Sequence, residues 1–344
     1  MTYLRRPQSL LAFAVFLAAI WTLHATAEMP HLPLKAFVAK DTLDPPREDS
    51  DDARDCLTGL VWPPSEFEVS WEAPLTGKGD AIAMFPSPIP SGDSRNDQVS
   101  MECYFARDGN GKPITAPAVV VVHESGSKMA VGRVFARGFQ TCGVHAFLIH
   151  LPYYGNRRSS EQRPDRKRLI DAIPQAVADV RRARDAVAAL PYVQDGRVSL
   201  QGTSLGGFVS ATSACLDSGT DGCGYDNVFI LLAGGNLMKV IQSGRKDAAK
   251  FRQQLQQSGM TPDQIAAIVN RVEPLRMAHR LDPKRTWLYS ADFDQVVPIQ
   301  NAIDLAQTAA LDPSHHVRML GNHYSGFVYI PFVIPKMAKV IHQR

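Results

Sequence analysis

Residues 198–208 read VSLQGTSLGGF, and the reading of this stretch decides the fold. Its centre, Gly202-Thr203-Ser204-Leu205-Gly206, has the form Gly-x-Ser-x-Gly, a pattern common enough by chance that its setting must give it meaning. The apolar run RVSL (197–200) comes before it and FVSATSACL follows, which predicts a strand, a sharp turn and a helix. Glycines at 202 and 206 let the two arms of such a turn approach closely. Ser204 then stands at the carboxyl end of a sheet, beside a helix N-terminus, as a candidate nucleophile. The competing reading is a phosphate-binding Gly-rich turn, but the Walker lysine and any Gly-x-Gly-x-x-Gly are missing.

Further runs resemble RVSL. AVVVV (118–122), VHAFLIH (144–150), NVFILL (227–232), RTWLYS (285–290) and HVRML (316–320) are continuous and apolar, as strands buried on both faces should be. Helical patterns alternate with them. The clearest is LIDAIPQAVADVRRARDAVAAL (169–190), in which Ile173, Val177, Val180 and Val187 recur on one face. This alternation predicts an α/β fold with a mostly parallel central sheet and helices on both faces. Before it, FEVSW, AIAMF and QVSMECYFA, broken by Pro, Ser and Gly, predict antiparallel N-terminal strands. Residues 237–283 carry helical stretches that predict a small insertion over one end of the sheet, and the Pro-rich, acidic residues 28–59 read as a loose lead-in. The catalytic domain is therefore placed at 60–344.

The first 27 residues combine Arg5 and Arg6, an apolar run from Leu10 to Leu23, and Ala25-Thr26-Ala27. That order predicts a secretory signal peptide cut after Ala27, the run being shorter than the roughly 20 residues of a membrane span. Export to the periplasm or beyond follows, with no stable membrane insertion after cleavage. Loss of the two arginines takes the formal charge from +3 to +1, which argues against nucleic acid as a partner. In an exported chain the five cysteines read as disulfide formers. Cys215 and Cys223 close a short turn-like loop, Cys56 is paired with Cys103, and Cys142 remains a buried thiol.

A serine hydroxyl is a weak nucleophile, so a base must take its proton and a third group must orient that base. In the order Ser, acid, His, the segment ADFDQVVP after RTWLYS offers Asp294, with Asp292 in reserve. His315 and His316 precede the last strand and belong at its far edge. His323 follows that strand and returns to the edge that carries Ser204. No His-Glu-x-x-His is present, and neither a metal nor a cofactor is expected.

From about residue 60 onward the chain resembles the α/β-hydrolase superfamily. HESG (123–126) and PYYGNRR (152–158) look like its dienelactone-hydrolase-like and acetyl-esterase-like branches. The D-x-V-V-P string around Asp294 is similar to that family's acid loop. The resemblance implies an oxyanion hole formed by the N–H groups of Ser125 and Leu205. It also implies a small-molecule or carbohydrate-linked ester as substrate. The chain departs from the family at Glu124, where Gly is common; this carboxylate either faces the substrate site or is structural. Tyr153, Tyr154, Arg157 and Arg158 lie on the catalytic edge and are read as contacts to a ring and an anionic group. The function expected is a serine esterase. A serine peptidase and a non-catalytic binding protein on the same scaffold are the alternatives.

Overall fold

The structure is a computed structural model that describes residues 34–343 apart from 46, 75, 159–165, 218–223 and 258. The expected signal peptide and Cys223 lie outside the described residues. A ten-stranded sheet organises the chain in the order β1-β2-β3-β4-β6-β5-β7-β8-β9-β10. β1 (Phe37–Lys40), β2 (Glu66–Glu72), β3 (Ala81–Pro86) and β4 (Gln98–Tyr104) run antiparallel. β5 (Ala116–Val122), β6 (His145–Ile149), β7 (Val193–Thr203), β8 (Val228–Leu231), β9 (Thr286–Ala291) and β10 (His316–Met319) are parallel.

The valine-rich β5 is buried along its whole length because both of its faces are covered. Side chains alternate across a strand, so Val119 and Val121 face one layer and Val120 and Val122 the other. The first pair joins Phe135 and Phe139 of α2 (Ala130–Thr141) and Val333, Ile334 and Met337 of α10 (Ile330–His342) in one core. The second pair faces α3 (Arg166–Ala188) and α4 (Leu205–Ala214), which pack on β5, on β7 and on each other. The chain leaves β5 for β6 on one side and returns to β7 on the other. That reversal opens a crevice beyond the carboxyl ends of β5 and β7, the place where open α/β sheets bind ligands.

Among its described residues from 34 onward, the stretch read as a loose lead-in forms regular elements. It contains β1 and the helix α1 (Asp51–Thr58), capped by Ser50. Its acids have distant cationic partners. Asp41 is buried, accepts from Trp62 Nε1 at 2.9 Å, and pairs with the Arg182 guanidinium of α3. Thr42 bonds Asp185, and Glu48 pairs with Arg280. Burial raises the Glu48 carboxyl, but hydrogen bonds from Ser50, Arg280 and His279 outweigh it and hold the group at about 2. Asp41→Ala leaves the Arg182 guanidinium buried without its counter-charge, a loss of about 3–5 kcal/mol. A urea titration is expected to show a markedly lower midpoint for this variant. An unchanged midpoint would mean that the Asp41–Arg182 pair contributes nothing to stability.

The disulfide expectations are corrected. Cys56, Cys103 and Cys215 are buried free thiols, and Cys142 is a half-buried one. Cys103 sits inside the sheet between β3 and β6, whereas Cys56 on α1 donates to the Asn270 carbonyl. Cys215 closes α4 and donates to Ala211 O at 3.1 Å. Burial pushes the Cys56 thiol up to about 11 and that of Cys215 to about 12, so both stay protonated and unreactive.

The expected helical insertion is present. It comprises α5 (Leu237–Ser243), α6 (Asp247–Gln257), α7 (Pro262–Arg271) and α8 (Pro274–Met277). Glu273 ties its two ends together by accepting from the N–H groups of Asn236 and Leu237, each at 2.6 Å. α9 (Ile299–Thr308) follows β9. Among the described residues no helix is long and apolar enough to cross a membrane.

Candidate active site

The turn from β7 to α4 places Ser204 at φ 54° and ψ −116°, a conformation that costs a non-glycine residue about 1–3 kcal/mol. Packing enforces it. A Cβ on Gly202 would strike the Gly206 carbonyl and the Ser210 hydroxyl, and one on Gly206 would strike the carbonyls of Val122 and His123. The Ser204 N–H donates to Leu231 O at 2.8 Å, which fastens the turn to the end of β8. The Ser204 side chain is thereby turned away from the sheet and into the crevice.

Two later loops meet it there. Ser204 Oγ lies 3.0 Å from His323 Nε2, and His323 Nδ1 lies 2.6 Å from Asp294 Oδ2. The second oxygen of Asp294 accepts the N–H groups of Val296 and Val297 at 2.8 and 2.9 Å. Asp294 is acceptor-only as a carboxylate, so the Nδ1 proton points at it and Nε2 is left to accept from the serine. Both His323 and Asp294 are buried. Asp292, the reserve acid, instead pairs with Arg318 of β10 at 2.7 Å. His315 stacks on Trp287 and His316 bonds Ser290, both away from Ser204 as their order implies.

The loop after β5 forms the facing wall. Gly202 of β7 is in register with Val122 of β5, so residues 123–126 emerge beside the serine turn. Fully buried His123 anchors this loop. Its Nε2 accepts the Leu151 N–H at 3.2 Å, so Nδ1 carries the proton and donates to Glu124 O at 2.6 Å. Burial lowers the His123 imidazole to about 3, which keeps it neutral and preserves this tautomer. Ser125 is exposed, and its N–H has no protein acceptor among the described residues. The Leu205 N–H, as the first of α4, has no acceptor within the helix.

The expected substrate contacts divide. The Glu124 carboxylate accepts the Val131 and Gly132 N–H groups, each at 3.2 Å, and so caps α2, a structural role. Arg157 is buried, pairs with Asp179 at 2.8 Å and donates to Asn96 O and His150 O, so it is withdrawn as an anion contact. Tyr153 is buried at φ 65°, with its N–H on Asn96. Tyr154 packs its ring 4.6 Å from that of His123 and donates to Ser125 O at 3.1 Å, so it buttresses the loop. Arg158 is exposed beside undescribed residues.

Sequence reasoning missed two contributors. His123 was passed over although its position at the end of a buried strand marks it as a loop anchor. The insertion, expected only as a cover over one end of the sheet, reaches the site itself: its Val240 and Ala248 pack with Phe208, one turn after Ser204, and with Val296 and Val297 of the acid loop.

No protein-family model and no curated protein sequence matches this chain. Among solved structures it is similar to an acetyl xylan esterase from Paenibacillus sp. R4, with a TM-score of 0.58 and 15% identity over 85% of this chain and 92% of that one. It is also similar to acetyl xylan esterase 1 from Thermoanaerobacterium sp. JW/SL YS485, with a TM-score of 0.57 and 13% identity over 87% and 96% of the two chains. A Pyrococcus horikoshii acylaminoacyl peptidase gives a TM-score of 0.51 and 13% identity over 80% of this chain and 41% of that one. The central sheet, the serine turn and these likenesses together make this chain an α/β-hydrolase in fold.

Proposed function

We propose that this protein is an exported serine hydrolase that cleaves carboxylic esters through an acyl-enzyme. The observation that carries this reading is the unbroken relay from Ser204 Oγ to His323 Nε2 and from His323 Nδ1 to Asp294, built on a strained turn at the crevice. Ser204 Oγ attacks the ester carbonyl while its proton passes to His323 Nε2. Asp294 holds the imidazolium that forms. The N–H groups of Ser125 and Leu205 receive the oxyanion, each donor contributing about a hundred- to thousandfold in rate. As the C–O bond to the leaving group breaks, His323 returns the proton to the departing alcohol. Water, deprotonated by the same nitrogen, then releases the acid and regenerates Ser204.

The likeness to two acetyl xylan esterases supports a short acyl group carried on a carbohydrate. The test is turnover of p-nitrophenyl esters from acetate to octanoate, together with acetylated xylo-oligosaccharides. The expected result is a kcat/KM that is highest for acetate and falls as the chain lengthens, with acetate released from the oligosaccharide. Cleavage of an acyl-peptide anilide, the second reading drawn from the peptidase likeness, with all esters inert would overturn it.

A further inference from the structure

The corner between α5 and α6 touches every loop of the proposed triad. The Arg245 N–H donates to Gln295 O at 2.7 Å, next to Asp294, and a Cβ on Gly244 would meet Val296 O at 2.6 Å. Phe208, on the nucleophile helix, packs with Val240 and Ala248 on either side of that corner. The third contact is polar. The Tyr324 hydroxyl, one residue beyond His323, donates to Asp247 Oδ2 at 2.7 Å. The Tyr324 ring meets the His323 ring edge-on with centroids 5.6 Å apart, and Lys246 Nζ lies 4.7 Å over its face.

The histidine loop is thus held from two sides. The Phe293 N–H donates to Gly321 O at 2.8 Å and joins it to the acid loop, while Tyr324 joins it to the insertion. Asn322 fixes the turn between these ties by accepting the N–H groups of Tyr324 and Ser325. From the geometry we infer that Tyr324 and Asp247 are positioning residues for catalysis. In this arrangement Tyr324 seats the His323 ring against Ser204, and Asp247 supplies, from the insertion, a second carboxylate that favours the imidazolium formed as Ser204 attacks.

This inference rests on the serine-hydrolase reading. The charged and titratable groups around His323 are Asp294 from the acid loop, Tyr324 from its own loop, and Lys246, Asp247 and Lys250 from the insertion. Lys250 pairs with Asp247 at 3.2 Å but is largely exposed, so solvent screens much of its charge. The Tyr324 hydrogen bond, foremost among the causes, lowers the Asp247 carboxyl, which keeps it ionised where the enzyme would work. No proton leaves Tyr324 in this scheme. Its hydroxyl stays on Asp247 while the Ser204 proton travels to His323.

The test is the second-order rate of inactivation by diisopropyl fluorophosphate, which needs no knowledge of the natural substrate, followed from about pH 5 to 9 across the range in which histidine titrates. Tyr324 and the Asp247 side chain are 37% and 43% exposed, so Tyr324→Phe and Asp247→Asn are compatible with folding. Loss of a nearby negative charge disfavours the imidazolium, so Asp247→Asn moves the acid limb to lower pH. It also lowers the plateau about three- to fivefold, as does Tyr324→Phe. Because the pair acts as one contact, the double variant falls no further than the worse single. Asp247→Glu restores the acid limb. Parental rates and an unmoved limb in both single variants, or effects that multiply in the double, would overturn the inference while leaving the triad intact. If the parent's Ser204 resists the reagent, the catalytic reading itself fails and this inference falls with it.

Discussion

Ser204→Ala is expected to lower kcat on p-nitrophenyl acetate by at least four orders of magnitude, with KM little changed. The size of the effect follows from what the residue does. Without Oγ no acyl-enzyme forms, and only the oxyanion donors and substrate binding remain to speed direct attack by water. Ser204 is only half-buried and its methyl replacement fills no new space, so folding should survive. The alanine inherits the strained φ of 54°, which the parent already bears. The check is steady-state kinetics beside a thermal melt of both proteins. Near-parental turnover by a folded Ser204→Ala protein would remove the nucleophile from the account.

Asp294→Asn is expected to reduce kcat by about 10⁴-fold with almost no loss of stability. The hydrogen bonds of the acid loop dictate the direction. One oxygen of Asp294 is held by the Val296 and Val297 N–H groups, so an asparagine must keep its carbonyl there and turn its amide NH₂ toward His323. That NH₂ can only donate, which forces Nδ1 to accept and moves the imidazole proton to Nε2. In that tautomer Nε2 cannot take the proton from Ser204, although every atom keeps its place. Asp292→Asn is the matched control. Its carboxylate pairs with an Arg318 side chain that is 54% exposed, so a change within about twofold is expected. Equal effects at the two positions would contradict the assignment of the acid.

The parallel strands were legible in the sequence because a strand covered on both faces is mostly apolar, as β5 and β8 are throughout and β6 and β9 largely are. The serine turn was legible for a steric reason. Only glycine fits at 202 and 206, where neighbouring carbonyls occupy the space of a Cβ. What escaped is charge paired over long separations. The acidic stretch that follows Lys40 looked like a solvated lead-in, since nothing local reveals that Asp41 meets Arg182 across 141 positions or that Glu48 meets Arg280 across 232. Arg157 misled in the opposite direction. Beside two tyrosines it resembled an anion contact, but Asp179 neutralises it inside the fold. Glu124 stood next to the expected oxyanion donor, and its spacing of seven and eight residues from Val131 and Gly132 makes it a helix cap that no local pattern advertises. The Tyr324 to Asp247 contact links residues 77 apart through an insertion whose docking only the folded chain discloses.

The most direct test of the central claim is to treat the protein with diisopropyl fluorophosphate and locate the adduct by mass spectrometry. The account predicts one adduct, on the peptide that carries Ser204, with ester hydrolysis lost in proportion to its formation and no adduct in Asp294→Asn on the same timescale. Hydrolysis that persists with Ser204 fully modified, or that is lost with the adduct on another residue, would contradict it.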